Sequence, residues 1–135
     1  MPKEFIVSLT AYLLVAESVP YEELKTFMLK LGGGEFRAIS EGYKFLVPFE
    51  EGYAILYVEP DYVPQIDDDD DQEEWNLIRK KLGSDPKMLI EIELSQESVP
   101  SAYYQMAFDF CQKWHSVFQN VAEDILTCEE IEGRI

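Results

Sequence analysis

The sequence predicts an α+β fold, in which helices pack on one face of an antiparallel or mixed sheet. Residues 87–95 alternate between apolar and polar side chains, as a half-buried strand does, and several other segments are rich in strand-forming residues. Between these strands, apolar residues recur at the spacing of three and four positions that is typical of helices. With 135 residues and 47% hydrophobic residues, the chain is expected to form a single domain over residues 1–135 around one core.

The N-terminal half predicts the order strand, helix and three strands. Residues 5–15 form an apolar run rich in strand formers. A helix follows and ends at the glycine triplet 32–34. The apolar face of this helix comprises Leu24, Phe27, Met28 and Leu31. Residues 36–40, 43–49 and 53–59 then predict three strands, because turn-forming residues separate them.

The C-terminal half predicts the order loop, helix, strand, helix and strand. An acidic loop over residues 60–71 precedes a helix that ends at Gly83. Trp75, Ile78 and Leu82 share one face of that helix. The alternating strand 87–95 comes next, followed by a second apolar helix and a short strand at residues 117–119. The apolar face of the second helix comprises Tyr103, Met106, Ala107, Phe110, Cys111 and Trp114.

The tetrapeptide Glu-Ser-Val-Pro occurs twice, at residues 17–20 and 97–100, each time between a strand and a helix. A second strand follows each helix, one around Phe36 and one at residues 117–119. Two such β-α-β units resemble a ferredoxin-like plan, with an extra hairpin and an acidic helix inserted between the two halves. Internal duplication and chance repetition of four residues are both open alternatives.

Acidic residues dominate the charge of the chain, which has a formal net charge of −16. Eight acids and no base lie within residues 61–74, and a second acidic segment covers residues 121–135. Nucleic-acid and anionic membrane surfaces are therefore not expected as partners, because both are bound through clustered Lys and Arg. No apolar run has the roughly 20 residues that span a bilayer, and the first residues lack the pattern of a signal peptide.

The two cysteines, Cys111 and Cys128, predict reduced thiols in a cytoplasmic protein, since their spacing matches no C-x-x-C motif. Cys111 and His115 stand four residues apart, the spacing of a nucleophile–base pair or of two metal ligands on a helix. Cys111 belongs to the apolar stripe, however, and His115 stands near the helix end. We therefore expect a packed thiol and a terminal histidine without catalytic function.

The aspartate run first suggests a calcium site, because Asp67, Asp69 and Asp71 have the spacing that opens an EF-hand loop. Position six of that loop is Gln72 where the turn requires glycine, and position twelve is Ile78 where a bidentate glutamate belongs. The EF-hand interpretation therefore fails, and no metal or cofactor is predicted.

A helix cap accounts for part of the run. Asp71 followed by Glu74 predicts a capping box, and the acids stand at the positive end of the helix dipole while residues 79–81, which are basic, stand at its negative end. Residues 67–70 are predicted to form a solvated loop. This loop either has no specific function or is a contact surface for a basic partner.

The hypothesis that the sequence favours is a non-catalytic protein-interaction or inhibitor-type module that binds a basic protein surface. Aromatic and aliphatic side chains directly before the aspartates suit an interface in which charge steers the encounter and apolar anchors hold the partner. The residues expected to contact the partner are Tyr62, Val63, Ile66, Asp67, Asp68, Asp69, Asp70 and Asp71. Nothing in the sequence selects an oligomeric state.

The competing hypothesis is a metal-dependent enzyme or a domain that binds divalent cations through clustered carboxylates. Glu91 and Glu93 share one face of the strand 87–95 and could act together, as could Glu50 and Glu51 near Glu59. In a chain with 27 acids such pairs are expected by coincidence, so a solvated sheet face is the favoured explanation of them.

Overall fold

An antiparallel sheet of seven strands organises the computed structural model, which describes residues 9–39, 42–95 and 100–135. The elements in chain order are β1 (Leu9–Val15), α1 (Tyr21–Lys30), β2 (Gly34–Ile39), β3 (Gly42–Pro48), β4 (Tyr53–Glu59), α2 (Asp69–Leu82), β5 (Met88–Leu94), α3 (Pro100–Lys113), β6 (Ser116–Gln119), β7 (Ile125–Leu126) and α4 (Cys128–Glu132). Their order across the sheet is β2-β3-β4-β5-β1-β6-β7, with antiparallel pairing throughout. The predicted α+β class is confirmed.

Helices cover both faces of the sheet, whereas the sequence predicted one. Side chains of α1, α3 and α4 pack with Leu13 and Val15 of β1 in the main core. Leu14, which points to the opposite face, packs with Ile78 and Leu82 of α2 in a second cluster. This difference arises because β1 has buried side chains on both faces along its second half, so apolar surface is left for α2 to cover.

Only one of the two expected β-α-β units has its strands close together. Strands β5 and β6, joined by α3, both pair antiparallel with β1 and are therefore parallel to each other on either side of it. The strand that follows α1 lies at the far edge of the sheet, with β3, β4 and β5 between it and β1. The ferredoxin-like plan is thus not confirmed. Residues 97–99 of the second tetrapeptide lie outside the described residues, as do residues 5–8 of the first predicted strand.

Lys81 fixes the C-terminal end of α2 against the last part of the chain. Its ammonium group donates to the carbonyl oxygen of Ile125 at 2.7 Å and to Oε1 of Glu130 at 3.0 Å. The pKa of the Glu130 carboxyl is lowered, chiefly because the backbone N–H of Thr127 donates to it and also because Lys81 does. This anchor determines which part of the sheet α2 can cover.

A disulfide joins Cys111 in α3 to Cys128 at the start of α4, with an S–S distance of 2.03 Å. The prediction of reduced thiols is therefore wrong: the two residues are far apart in sequence, but the packing of α4 on α3 brings their Cα atoms to 5.7 Å. Cys111 and His115 also do not form a nucleophile–base pair. The sulfur of Cys111 is part of the disulfide, and Nε2 of His115 contacts the carbonyl oxygen of Leu82.

The longest helices of the described ranges, α2 and α3, have 14 residues each, and no described helix is long and apolar enough to cross a membrane.

The disulfide is expected to contribute measurably to the free energy of unfolding. Replacing both cysteines by serine is expected to lower the free energy of unfolding by about 3 kcal/mol, because the bond constrains an unfolded chain across a sequence separation of 17 residues. Urea denaturation with and without reductant measures this, and reduced wild-type protein should match the double variant. Titration of free thiols in unreduced, unfolded protein serves as the control, and finding both thiols free would contradict the assignment.

Candidate binding site

The aspartate run forms the start of α2 and its cap. The helix begins at Asp69, and Asp68 is its N-cap, with Oδ1 accepting a hydrogen bond from the backbone N–H of Asp71 at 2.8 Å. Oδ2 of Asp71 in turn accepts from the backbone N–H of Asp67 at 3.1 Å. The cap thus lies one turn earlier than the predicted Asp71–Glu74 box, because Asp69 and Asp70 join the helix rather than the loop. Free amides at a helix start favour acidic acceptors.

The remaining acids of this turn have no positive partner within the part of the chain that the structure describes. The side chains of Asp67, Asp69, Asp70 and Glu73 are exposed, and no Lys or Arg of the described residues forms an ion pair with them. At the other end of α2, two of the three bases are paired: Arg79 contacts Asp85 at 2.7 Å, and Lys81 contacts Glu130. The helix therefore presents uncompensated negative charge at its N-terminal end only.

The three apolar residues proposed as contacts occupy different environments. Val63 and Ile66 are 77% and 40% exposed and lie beside the acidic turn. Tyr62 is half-buried against the cluster under α2, and its backbone N–H donates to the carbonyl oxygen of Lys87 at 3.3 Å. The structure therefore leaves Val63 and Ile66 available to a partner and gives Tyr62 a packing role.

A cleft of about 460 Å³ opens beside Tyr62, where the N-terminal half of α2 leaves the sheet uncovered. Its floor and walls include the apolar side chains of Leu14, Ile78 and Leu89. The other lining residues are Thr10, Tyr12, Tyr62, Glu74, Gln119, Asn120, Val121 and Glu123. This volume is within the range of small-molecule sites.

Sequence reasoning found Tyr62 but missed the rest of the cleft. Tyr12 comes from β1, Gln119 from β6, and Glu123 from the turn before β7, so only the pairing of β1 with β6 brings them together. The one available signal was the polar character of Thr10 and Tyr12 within an otherwise apolar strand.

A buried amide joins the helix to the sheet inside the cleft. Gln119 is 8% exposed, and its Nε2 donates to Oε2 of Glu74 at 3.0 Å. Because a carboxylate only accepts, this contact fixes the orientation of the amide. The carbonyl oxygen Oε1 accepts no hydrogen bond from any described residue and is available to a ligand.

The pKa values of both tyrosines in the cleft are raised by their surroundings. Burial raises the pKa of the Tyr12 phenol, and the negative charges of Glu91, Glu123 and Glu74 raise it further. Burial also raises the pKa of Tyr62, followed by the charges of Glu59 and Glu74. The two phenols are therefore neutral hydrogen-bond donors at physiological pH.

The open sheet face continues from the cleft along one row of paired residues. Lys44, Tyr57, Glu91, Tyr12 and Gln119 are successive register partners across five strands, from β3 to β6. The ammonium group of Lys44 lies 5.3 Å from the centre of the Tyr57 ring. The row mixes aromatic and charged groups.

Glu91 and Glu93 share this face, as the alternation predicted. Burial, and after it the charges of Glu93 and Glu59, raise the pKa of the Glu91 carboxyl. A hydrogen bond to Glu93, with smaller contributions from burial and charge, raises the pKa of Tyr57 to about 12. A half-buried carboxyl of this kind is a proton donor in principle, but the described residues contain no group of three or more His, Cys, Asp or Glu that could hold a metal ion.

Glu123 has a left-handed backbone conformation at the rim of the cleft. Its φ is 70°, and its backbone N–H donates to the carbonyl oxygen of Asn120 at 2.9 Å. Asn120, itself buried, accepts from the backbone N–H of Asp124 at 2.8 Å through its side chain. Hydrogen bonds to Asn120 therefore stabilise the turn. Glu123 has a positive φ, which glycine adopts with less strain than other residues.

No family model matches this chain, and neither a curated protein nor a solved structure shows significant similarity to it.

The raised pKa of Glu91 predicts how stability depends on pH. The folded state holds the Glu91 proton more tightly than the unfolded chain, so the associated stability is present below about pH 4, near the unfolded pKa, and is lost as the pH rises through the folded pKa. Glu91→Gln should thus stabilise the protein at pH 7 and leave it nearly unchanged at pH 3.5.

Urea denaturation at the two pH values measures the effect. Glu51→Gln in the β3–β4 turn is the matched control, and it should change little at either pH. An equal gain for both variants at pH 7 would show that net charge, rather than the environment of Glu91, causes the stabilisation.

The strain at Glu123 predicts a stabilising substitution. Glu123→Gly should raise the free energy of unfolding by up to about 1 kcal/mol, because glycine adopts positive φ without a steric cost although it loses more backbone entropy. Thermal melts measure the change. Glu123→Ala, which keeps the strain, is the control and should not stabilise; stabilisation by alanine would attribute the effect to removal of the charge.

Proposed function

We propose that this protein is a non-catalytic binding module that attaches to a basic surface of another protein through the acidic segment, defined as residues 62–71. The observation that carries the proposal is the unequal pairing along α2. Two of the three bases at its C-terminal end, Arg79 and Lys81, are paired within the molecule, whereas several carboxylates at its acidic end have no cation among the described residues.

Helix capping accounts for only some of the acidic residues at the start of α2. Asp68 and Asp71 are used in capping, which stabilises the helix start. Asp69, Asp70 and Glu73 lie in the first turns without such contacts and repel one another, although the helix dipole offsets part of the cost. A basic partner would relieve this repulsion and would be attracted over distances of about a Debye length, roughly 8 Å at physiological salt.

Apolar anchors next to the charge support a protein as the partner. Val63 and Ile66 are exposed on the same segment, where burial by a partner would contribute to binding and charge alone would not. Charge then accelerates the encounter while the apolar side chains slow dissociation. This division of roles is typical of inhibitors and immunity-type proteins that mask basic sites.

The alternative function, carboxylate-based catalysis or divalent-cation binding, has one supporting observation, the raised pKa of Glu91 beside Glu93.

The disulfide also bears on the expected location of the protein. A cytoplasmic protein was expected from its reduced cysteines, and the disulfide removes that support because such bonds persist mainly in oxidising compartments.

The proposal predicts a loss of partner binding when the free carboxylates are neutralised. Affinity capture from native lysate identifies the partner, and calorimetry with the purified partner then measures the affinity. The variant combines Asp67→Asn, Asp69→Asn and Asp70→Asn in the acidic segment with Glu73→Gln directly after it. It is expected to weaken binding at least about tenfold at low salt, because it removes the steering charge without removing the cap.

A matched control removes the same number of charges elsewhere, through Glu17→Gln, Glu50→Gln, Glu51→Gln and Glu132→Gln. These side chains are exposed and lie outside the acidic segment. The control should keep the affinity of the wild-type protein. Equal loss in both variants would reduce the effect to net charge, and unchanged affinity in both would exclude the acidic segment as the contact surface.

A further inference from the structure

We propose that the cleft beside Tyr62 is a separate binding site for a small organic cation, a primary amine with an apolar body. The apolar body would lie on Leu14, Ile78 and Leu89, and the ammonium group would meet the carboxylates of Glu74 and Glu123 at the rim. This inference does not depend on the proposed protein partner.

The size and lining of the cleft favour a small molecule. Its volume of about 460 Å³ exceeds that of a single side chain and lies within the usual range of ligand sites. Leu14 and Ile78, which are buried, and the half-buried Leu89 form the apolar part of the floor. Such a floor stabilises an apolar ligand body by removing it from water.

The charge of the cleft selects a cation. No lining residue carries a positive charge, and every lining residue is among those the structure describes. Glu74 and Glu123 are exposed at the rim. The pKa of the half-buried Tyr12 phenol is raised first by burial and then by the charge of Glu91, and the charges of Glu123 and Glu74 add to this. An anionic ligand would meet this charge without compensation, whereas a cation would be attracted by it.

The polar groups favour a cation that has N–H donors. The carboxylate of Glu74 and the free carbonyl oxygen of Gln119 are both acceptors, and the hydrogen bond between these two residues keeps them side by side. Tyr12 and Tyr62 also line the cleft, and an aromatic ring attracts a cation that lies over its face. A primary ammonium group can satisfy two acceptors at once, which a quaternary ammonium cannot.

Titration of ¹⁵N-labelled protein with phenethylamine, which is protonated at pH 7, tests the site. Chemical-shift changes are expected on β1, on β6 and in the first half of α2. Binding should be at least about tenfold tighter than that of the neutral isostere 2-phenylethanol, the ratio expected when a hydrogen bond becomes charge-assisted. The anion 3-phenylpropanoate should not bind.

Variants of the cleft provide the second measurement. Glu74→Gln combined with Glu123→Gln should weaken phenethylamine binding at least about tenfold, because both charges at the rim are lost. The matched control, Glu50→Gln with Glu51→Gln, should bind like the wild-type protein. Tyr12→Leu should weaken binding about threefold through loss of the ring face. The spectrum of each free variant verifies that it is folded.

Three results would overturn the inference: equal binding of the amine and the alcohol, shift changes confined to other surfaces, or equal loss in the cleft and control variants. N-acetyl-arginine methylamide distinguishes a free amine from a basic side chain of a protein. Tighter binding of that probe than of phenethylamine would reassign the cleft to the partner's side chain. The variant with a neutralised acidic segment should still bind phenethylamine, so that failure of one proposal can be told from failure of the other.

Discussion

The central strand β1 has buried side chains on both faces along only half of its length, and the rest of the structure depends on this constraint. Leu13 and Val15 enter the main core, while Leu14 on the opposite face requires a cover of its own. Helix α2 supplies that cover. Toward the start of the strand, the residues on the same face are Thr10 and Tyr12, which tolerate water. The helix therefore covers one part of the face and leaves the cleft beside it.

The position of α2 also determines which of its charged side chains form contacts within the fold. Its C-terminal end is tied to β7 and α4 through Lys81, and Arg79 is paired with Asp85, so two of the bases there form contacts within the fold. Its N-terminal end projects toward the open part of the sheet with acids that only partly serve as a cap. As a result, the acidic segment and the cleft are neighbours that share Tyr62, and the cleft residue Glu74 lies in α2 directly after the acidic segment.

Local sequence patterns predicted most of the secondary structure but not its layering. Strand β5 has the predicted alternation, with Met88, Ile90, Ile92 and Leu94 buried. Strand β4 spans the predicted residues, because side-chain periodicity reflects burial on one face. The face to which each helix packs depends on sheet order, which is a long-range property. For the same reason the sequence did not reveal the disulfide: Cys111 and Cys128 meet only after α4 packs on α3.

The sequence by itself determined most of the elements, the concentration of charge around the start of α2 and the lack of an EF-hand ligand pattern, since each follows from residues that are close along the chain; it did not predict β7 or α4. Only the tertiary structure decided which aspartates are caps and which are free, because a shift of the helix start by one turn changes the role of each. It also decided the existence of the cleft. Tyr12, Glu74, Gln119 and Glu123 belong to four different segments, and their meeting depends on the pairing of β1 with β6 and on the docking of α2.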